Sequence, residues 1–360
     1  MKALRILVVL TCGLSTPLVA AKNSKNNNPD VLKNGLPNIK SAAALIVDLN
    51  SDSVLYEREA DQLRPIASIS KMFGALVVVE DCHLNPEDLH EMTVQNREAA
   101  KGGDQTKLTT GWSYSHDDLL HAALMRSDNR ALPALAEACG MDPGTMAEHM
   151  TAKAQKLGMR QTKFKEPTGL SADNVSTPRE LMIALKYITK VPTLTQIMAK
   201  SEYFITAVKN GRRRPIKIKS TDRMLNKGVA EILAGKTGYT DIARYCLAIA
   251  AKTSGGQNVG MVFLGAEGRY TRFADFTRVI KWLGPLHDLV RAKLAMPISA
   301  TSAAGSPTTA RAEPIPARLA PTRVSDVPVA VPYNPLVGPP IQVAPANVAP
   351  SPDSPESSKW

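Results

Sequence analysis

Residues 66–74 read Ile-Ala-Ser-Ile-Ser-Lys-Met-Phe-Gly, with Ser68 and Lys71 three positions apart at the head of an apolar run. Two readings fit. In one, the serine caps a helix and the lysine is a solvated cation. In the other, the serine is a nucleophile and the lysine accepts its proton. Residues i and i+3 share a helix face, and apolar Ile66, Ile69, Met72 and Phe73 desolvate the amine, which lowers its pKa. Read alone, the stretch favours the cap.

Two later segments reverse that preference. Ser127-Asp128-Asn129 lies between two expected helices, where it also reads as an ordinary cap. Lys236-Thr237-Gly238 follows Leu233-Ala234-Gly235. A strand there puts Lys236 and Gly238 on one side, and the glycine leaves room for a substrate backbone; the competing reading is a turn. In this order, S-x-x-K, S-x-N and K-T-G are the signature of penicillin-binding proteins and class A β-lactamases. Three short motifs that agree in order and spacing are far more specific than any one of them. The active-site reading of Ser68 and Lys71 therefore prevails.

The chain resembles the serine-type D-alanyl-D-alanine peptidases, the low-molecular-mass penicillin-binding proteins. The resemblance rests on R-P-I-A-S-I-S-K (64–71) and on two stretches similar to the D-alanyl-D-alanine endopeptidase branch, K-E-P-T-G-L-S-A-D-N-V-S-T-P-R-E-L (165–181) and G-K-T-G-Y-T (235–240). It implies an α+β, penicilloyl-serine transferase (β-lactamase/DD-peptidase-like) fold, an antiparallel sheet flanked by helices plus an all-helical region. It also implies roles: Ser68 the nucleophile, Lys71 its base, Ser127 and Asn129 proton relay and amide holder. Lys236 and Thr237 would hold a substrate carboxylate beside Gly238, and the N–H groups of Ser68 and Tyr239 would form the oxyanion hole. The implied substrates are peptidoglycan stem peptides, with β-lactams as covalent inhibitors and no cofactor or metal. Within the same fold a serine β-lactamase is the alternative; outside it, a non-catalytic peptidoglycan-binding protein. A class A β-lactamase needs a deacylating glutamate, but Glu166 sits in E-P-T-G-L rather than E-x-x-L-N and reads as a surface loop acid. Asp173 and Asn174 read as turn residues, Ser70 as an ordinary helix residue, and Arg212, Arg213 and Arg214 as a solvated hairpin tip.

The ends differ from the middle. Residues 1–21 place Lys2 and Arg5 ahead of an apolar stretch closing on Val19-Ala20-Ala21, the layout of a cleaved export signal. Residues 22–39 are polar and broken by Pro and Gly, a flexible lead-in; residues 296–360 are rich in Ala, Pro, Ser and Thr and cannot bury a core. The catalytic domain is expected over 40–295, with no stable membrane anchor. The net charge of +11 comes without any nucleic-acid-binding motif, so for an exported chain an anionic envelope polymer or membrane surface is the better counterpart. Cys12 leaves with the signal. Cys139 and Cys246 read as small buried hydrophobes, Cys82 as structural or incidental, and no Cys/His cluster suggests a metal.

Within the domain, Ala43–Asp48 and Ser53–Tyr56 alternate as a hairpin. Helical spacing covers Met72–Glu80, Asp117–Met125, Arg130–Ala138, Thr145–Leu157 and Pro178–Ile188. Asn210-Gly211 joins strands at 202–208 and 214–219, strands follow at 244–251 and 259–264, and a helix closes the domain over 272–283. Such an order gives one sheet shared by both ends of the domain.

Overall fold

The computed structural model describes residues 30–102 and 106–295. The expected leader (1–21), residues 22–29 of the lead-in and the 296–360 tail lie outside the described residues.

The chain first forms β1 (Ala43–Asp48), β2 (Val54–Arg58) and the short β3 (Arg64–Pro65), then a 3-10 turn, Ala67–Ser70, leading into α1 (Lys71–Asp81). β4 (Leu89–Glu91), α2 (Val94–Ala99), β5 (Ser113–Ser115) and α3 (His116–His121) follow, with a π-helical turn at Ala122–Arg126. The helical block continues through α4 (Ala131–Ala138), α5 (Pro143–Lys156), the short β6 (Val175–Ser176), α6 (Pro178–Ile188) and α7 (Pro192–Met198). Hairpin β7 (Glu202–Lys209) and β8 (Arg212–Lys219), then β9 (Glu231–Thr240), β10 (Arg244–Lys252), β11 (Asn258–Ala266) and α8 (Thr271–Ala295) complete it.

The main sheet is antiparallel with order β2-β1-β11-β10-β9, so strands from both ends of the domain meet at β1 and β11. Alternation assigns its two faces. Leu45 and Val47 of β1 join Ala248, Val262, Leu181 and Leu185 on the side of the helical block. Ala44 and Ile46 join Ile249, Met261, Phe263, Phe273 and Phe276 beneath α8. Within the block, α1 is buried from Lys71 to Val78, the condition of a helix apolar on every side. Gly74 lets α4 close on it: a Cβ there would stand 2.7 Å from a Leu132 methyl.

Three features differ from the sequence expectation. The helical region is not all helix; it carries its own four-stranded sheet, β4-β5-β7-β8, because the β7–β8 hairpin pairs with β5 and not with the main sheet. Cys82 and Cys139 form a disulfide across the C-terminal ends of α1 and α4, 57 residues apart in sequence. A cross-link of that span removes about 4 kcal/mol of unfolded-chain entropy in the loop-closure treatment. Cys246 is free and buried, as expected. Finally, residues 30–39 are fastened to α8: Asp30 pairs with Lys281, and Trp282 donates to the Gly35 carbonyl. Buried Asp275 accepts from the backbone of Lys40 and Ser41.

Candidate active site

The turn before α1 is shaped by close backbone packing. Ala67 has φ +48°, uncommon for a residue with a side chain. Gly238 of β9 and Gly169 press on this turn. A Cβ at Gly238 would lie 2.9 Å from the Ile66 carbonyl oxygen, and one at Gly169 only 2.0 Å from that of Ala67. Glycine at both places lets the edge strand and a loop enclose Ser68.

Ser70 is no ordinary helix residue. Its buried hydroxyl donates to the Ala67 carbonyl (2.8 Å) and accepts from Asn174 Nδ2 (3.0 Å). Asn174 is fully buried, not a simple turn residue, and its Oδ1 also accepts from the Lys165 amide. Asp173 is exposed in a turn, as expected. Glu166 is likewise more than a loop acid. Its Oε2 accepts from the Thr168 amide (2.6 Å) and its Oε1 from the Gly169 amide (2.7 Å), which folds the loop over Ser68. With both oxygens engaged by the loop, Glu166 builds the site and is not poised to activate a water.

Lys71 is fully buried, and its Nζ lies 3.0 Å from Ser68 Oγ, 2.6 Å from Asn129 Oδ1 and against the Thr168 carbonyl. Desolvation brings its pKa down to about 7, against the opposing pull of Glu166 and Asp128. The carbonyl oxygens of Asn129 and Thr168 can only accept, so a neutral amine gives them its two hydrogens. Its lone pair is then left facing Ser68. This is the arrangement a general base requires, and it fixes a pH dependence. With Lys71 as base, the active form is the neutral amine, and acylation of Ser68 should then rise with pH through about 7. At pH 5 roughly 1% of the amine is free, and the acylation rate constant should fall about 50-fold from its pH 7 value. Stopped-flow acylation by a chromogenic β-lactam measures this, and a flat profile from pH 5 to 8 contradicts the assignment.

Ser127 ends the π-helical turn with φ +63°, a left-handed position that orients its side chain toward the cleft side of β9. Its Oγ accepts from Lys236 Nζ at 2.9 Å. Asp128 turns away; it accepts from Thr106 Oγ1 and the Lys107 amide and so anchors the segment. Lys236 is also fully buried; burial and the facing charge of Lys71 push its pKa well below the usual lysine range. Thr237 Oγ1 lies 2.6 Å from Thr221 Oγ1. The expected strand is therefore β9, not a turn, and it draws Lys236, Thr237 and Gly238 beside Ser68, Lys71, Ser127 and Asn129. The Tyr239 side chain is exposed, stacked on Tyr245 and bonded to Asp241; only its backbone belongs to the site.

Sequence reasoning missed the supports. Arg272 of α8 donates to the Gly238 carbonyl at 2.7 Å, and its burial brings its pKa down to about 10. Asp222, buried against Gly235, is raised to about 6 by burial, opposed by the charges of Arg272 and Lys236. Neither belongs to a short motif, and only their position over β9 reveals them. Among the described residues no group of His, Cys, Asp and Glu is placed to hold a metal ion.

The profile of the D-alanyl-D-alanine carboxypeptidase family matches residues 30–268. The chain belongs to this family. The peptidase is 35% identical over 285 residues to the D-alanyl-D-alanine endopeptidase of Pseudomonas aeruginosa, covering 78% of this chain and 88% of the relative. It is 35% identical to the Escherichia coli enzyme of the same name over 69% of this chain and 78% of the relative. Among solved structures, the Streptomyces K15 DD-transpeptidase superposes with a TM-score of 0.64 at 25% identity, covering 68% of this chain and 97% of that one. The fold is thus that of the penicilloyl-serine transferases, and the protein is a serine DD-peptidase. No helix among the described residues is long and apolar enough to cross a membrane.

Proposed function

We propose that the peptidase cleaves D-alanyl cross-links between peptidoglycan stem peptides by way of an acyl-enzyme on Ser68. The observation that carries this is the Lys71 amine, held by two acceptor-only carbonyls with its third direction on Ser68 Oγ. Ser68 Oγ attacks the D-alanyl carbonyl carbon as its proton passes to Lys71 Nζ, and the oxyanion is met by the N–H groups of Ser68 and Tyr239. Each such donor is worth roughly 10²–10³-fold in rate. Collapse breaks the C–N bond, and Ser127 relays the proton held on Lys71 to the leaving amine, which returns Lys71 to the neutral amine and Ser127 to the hydroxyl. Water, activated by Lys71, then releases the acyl group. Lys236 and Thr237 receive the carboxylate beside the scissile amide, and the incoming anion restores the Lys236 ammonium that burial opposes. Asn129 holds both Lys71 and the substrate amide.

Endopeptidase rather than carboxypeptidase action is supported by the relatives: three D-alanyl-D-alanine endopeptidases stand at 31–35% identity, whereas carboxypeptidases of Bacillus subtilis, Escherichia coli and Mycobacterium tuberculosis stand at 26–29%. An exported location is supported by the Cys82–Cys139 disulfide, a bond that persists in oxidising compartments. Digestion of purified cross-linked peptidoglycan, followed by muropeptide profiling, tests the reading. The expected result is loss of dimers with monomers gained; loss of pentapeptides alone would reassign the enzyme as a carboxypeptidase, and an unchanged profile would refute it.

A further inference from the structure

Beside the catalytic groups lies a cleft of about 290 Å³ lined by Lys107, Arg126, Lys217, Ile218 and Lys219. Four of the five are cations. Glu202 engages Lys217 at 2.8 Å. Glu202 also faces Lys219 across the β7–β8 pair and feels its charge, whereas the side chains of Lys107 and Arg126 have no carboxylate within ion-pair distance among the described residues.

The walls of this cleft continue those of the active site. Arg126 directly precedes Ser127. The Lys107 amide donates to Asp128, the middle residue of Ser127-Asp128-Asn129, at 2.8 Å. From Lys219 the chain runs through Ser220 to Thr221, whose amide donates to the Met125 carbonyl (2.9 Å) and whose hydroxyl touches Thr237. A peptide held at Ser68 therefore has a concentrated positive potential within a few residues of its reacting carbonyl. Uncompensated like charges destabilise the empty protein, and a bound anion relieves them.

We infer that this cleft is a second anion subsite, which takes a carboxylate of the stem peptide other than the one beside the scissile amide. The inference rests on the peptidase reading above and names a feature of its substrate. Stem peptides offer such a group in the free α-carboxylate of their γ-linked D-glutamyl residue. Where that carboxylate is amidated to isoglutamine, shape is kept and one charge is lost, so the cleft discriminates between the two wall chemistries.

Two synthetic cross-linked peptides test this, the D-Ala–diaminopimelate dimer of L-Ala-γ-D-Glu-meso-diaminopimelyl-D-Ala and its D-isoglutamine counterpart, with the full chain and a Lys107→Glu/Lys219→Glu variant. Exposed ion pairs are worth up to several-fold each, so reversal of two charges amounts to roughly tenfold. Wild type should favour the acid in kcat/KM by about fivefold or more, and 0.5 M NaCl should erode that preference. The variant should lose about tenfold on the acid, while its isoglutamine turnover and penicillin acylation stay within about twofold, which also certifies its fold. Equal turnover of both peptides by wild type, or a preference that survives in the variant, overturns the subsite and leaves the peptidase intact. If wild type is acylated by penicillin but cuts neither peptide, the substrate reading itself fails and the subsite with it.

Discussion

Ser68→Ala should remain unlabelled by fluorescent penicillin under conditions that label the wild-type chain to completion. The β-lactam carbonyl needs an oxygen nucleophile with a base behind it, and Ser68 Oγ is the hydroxyl that lies 3.0 Å from Lys71 Nζ. Ser70 cannot take over. Its hydroxyl is buried and already spans the Ala67 carbonyl and the Asn174 amide. Removing the Ser68 hydroxyl, only partly buried, should change stability by no more than about 1 kcal/mol, so a melting curve within a few degrees of wild type separates lost chemistry from lost fold. Intact-mass analysis provides the second readout: wild type gains the mass of one antibiotic and the variant gains none. Undiminished labelling of Ser68→Ala would falsify the nucleophile assignment.

Gly169→Ala should be the most damaging one-methyl change in the domain. The residue sits at φ +86°, where any side chain is strained, and its Cβ would stand 2.0 Å from the Ala67 carbonyl oxygen and 2.7 Å from the Ser68 nitrogen. Those atoms are backbone and cannot swing aside, so the loop or the nucleophile turn must move. Left-handed strain costs about 1–3 kcal/mol and overpacking a similar amount, together roughly 4 kcal/mol, or about 10 °C in melting temperature for a domain of this size. Acylation should fall at least about 100-fold, because a 1 Å displacement near the reacting atoms costs that much. Gly256→Ala is the control. Its φ is +84° but nothing lies within 4 Å of the added methyl, so it should lose about 1 kcal/mol of stability and no activity. Equal losses in both variants would show that backbone strain, not the contact with the Ala67 turn, dominates.

The candidate site was legible because its members fall in short segments with fixed local spacing. Ser68 and Lys71 share one turn of helix, and strand alternation foresaw Lys236 and Gly238 on β9. Strands and helices with strong periodicity were also readable, Ala43–Asp48 and Pro178–Ile188 to the residue. What escaped depends on contacts between distant segments. Ser70 and Asn174 look unremarkable apart and become a brace only when the 165–174 loop folds onto the turn before α1. The Cys82–Cys139 bond requires α1 and α4 to end side by side, which periodicity does not report. The β7–β8 hairpin was visible in Asn210-Gly211, but its partner β5 is three residues long and has too little pattern to announce itself.

The strand order of the main sheet also dictates when the enzyme comes into being. β1 is made early in the chain, yet its partner β11 lies at the far end of the domain, with Ala43 opposite Leu264. The helices from Lys71 to Met198 gather largely on local contacts, whereas β9 must come back to the Ser68 turn from more than 160 residues down the chain. Long-range pairing of this kind makes folding slow. A chain whose β9 has not yet docked therefore carries its serine and lysine without Lys236, Thr237 and Gly238 beside them, and the site is complete only when segments more than 160 residues apart have met.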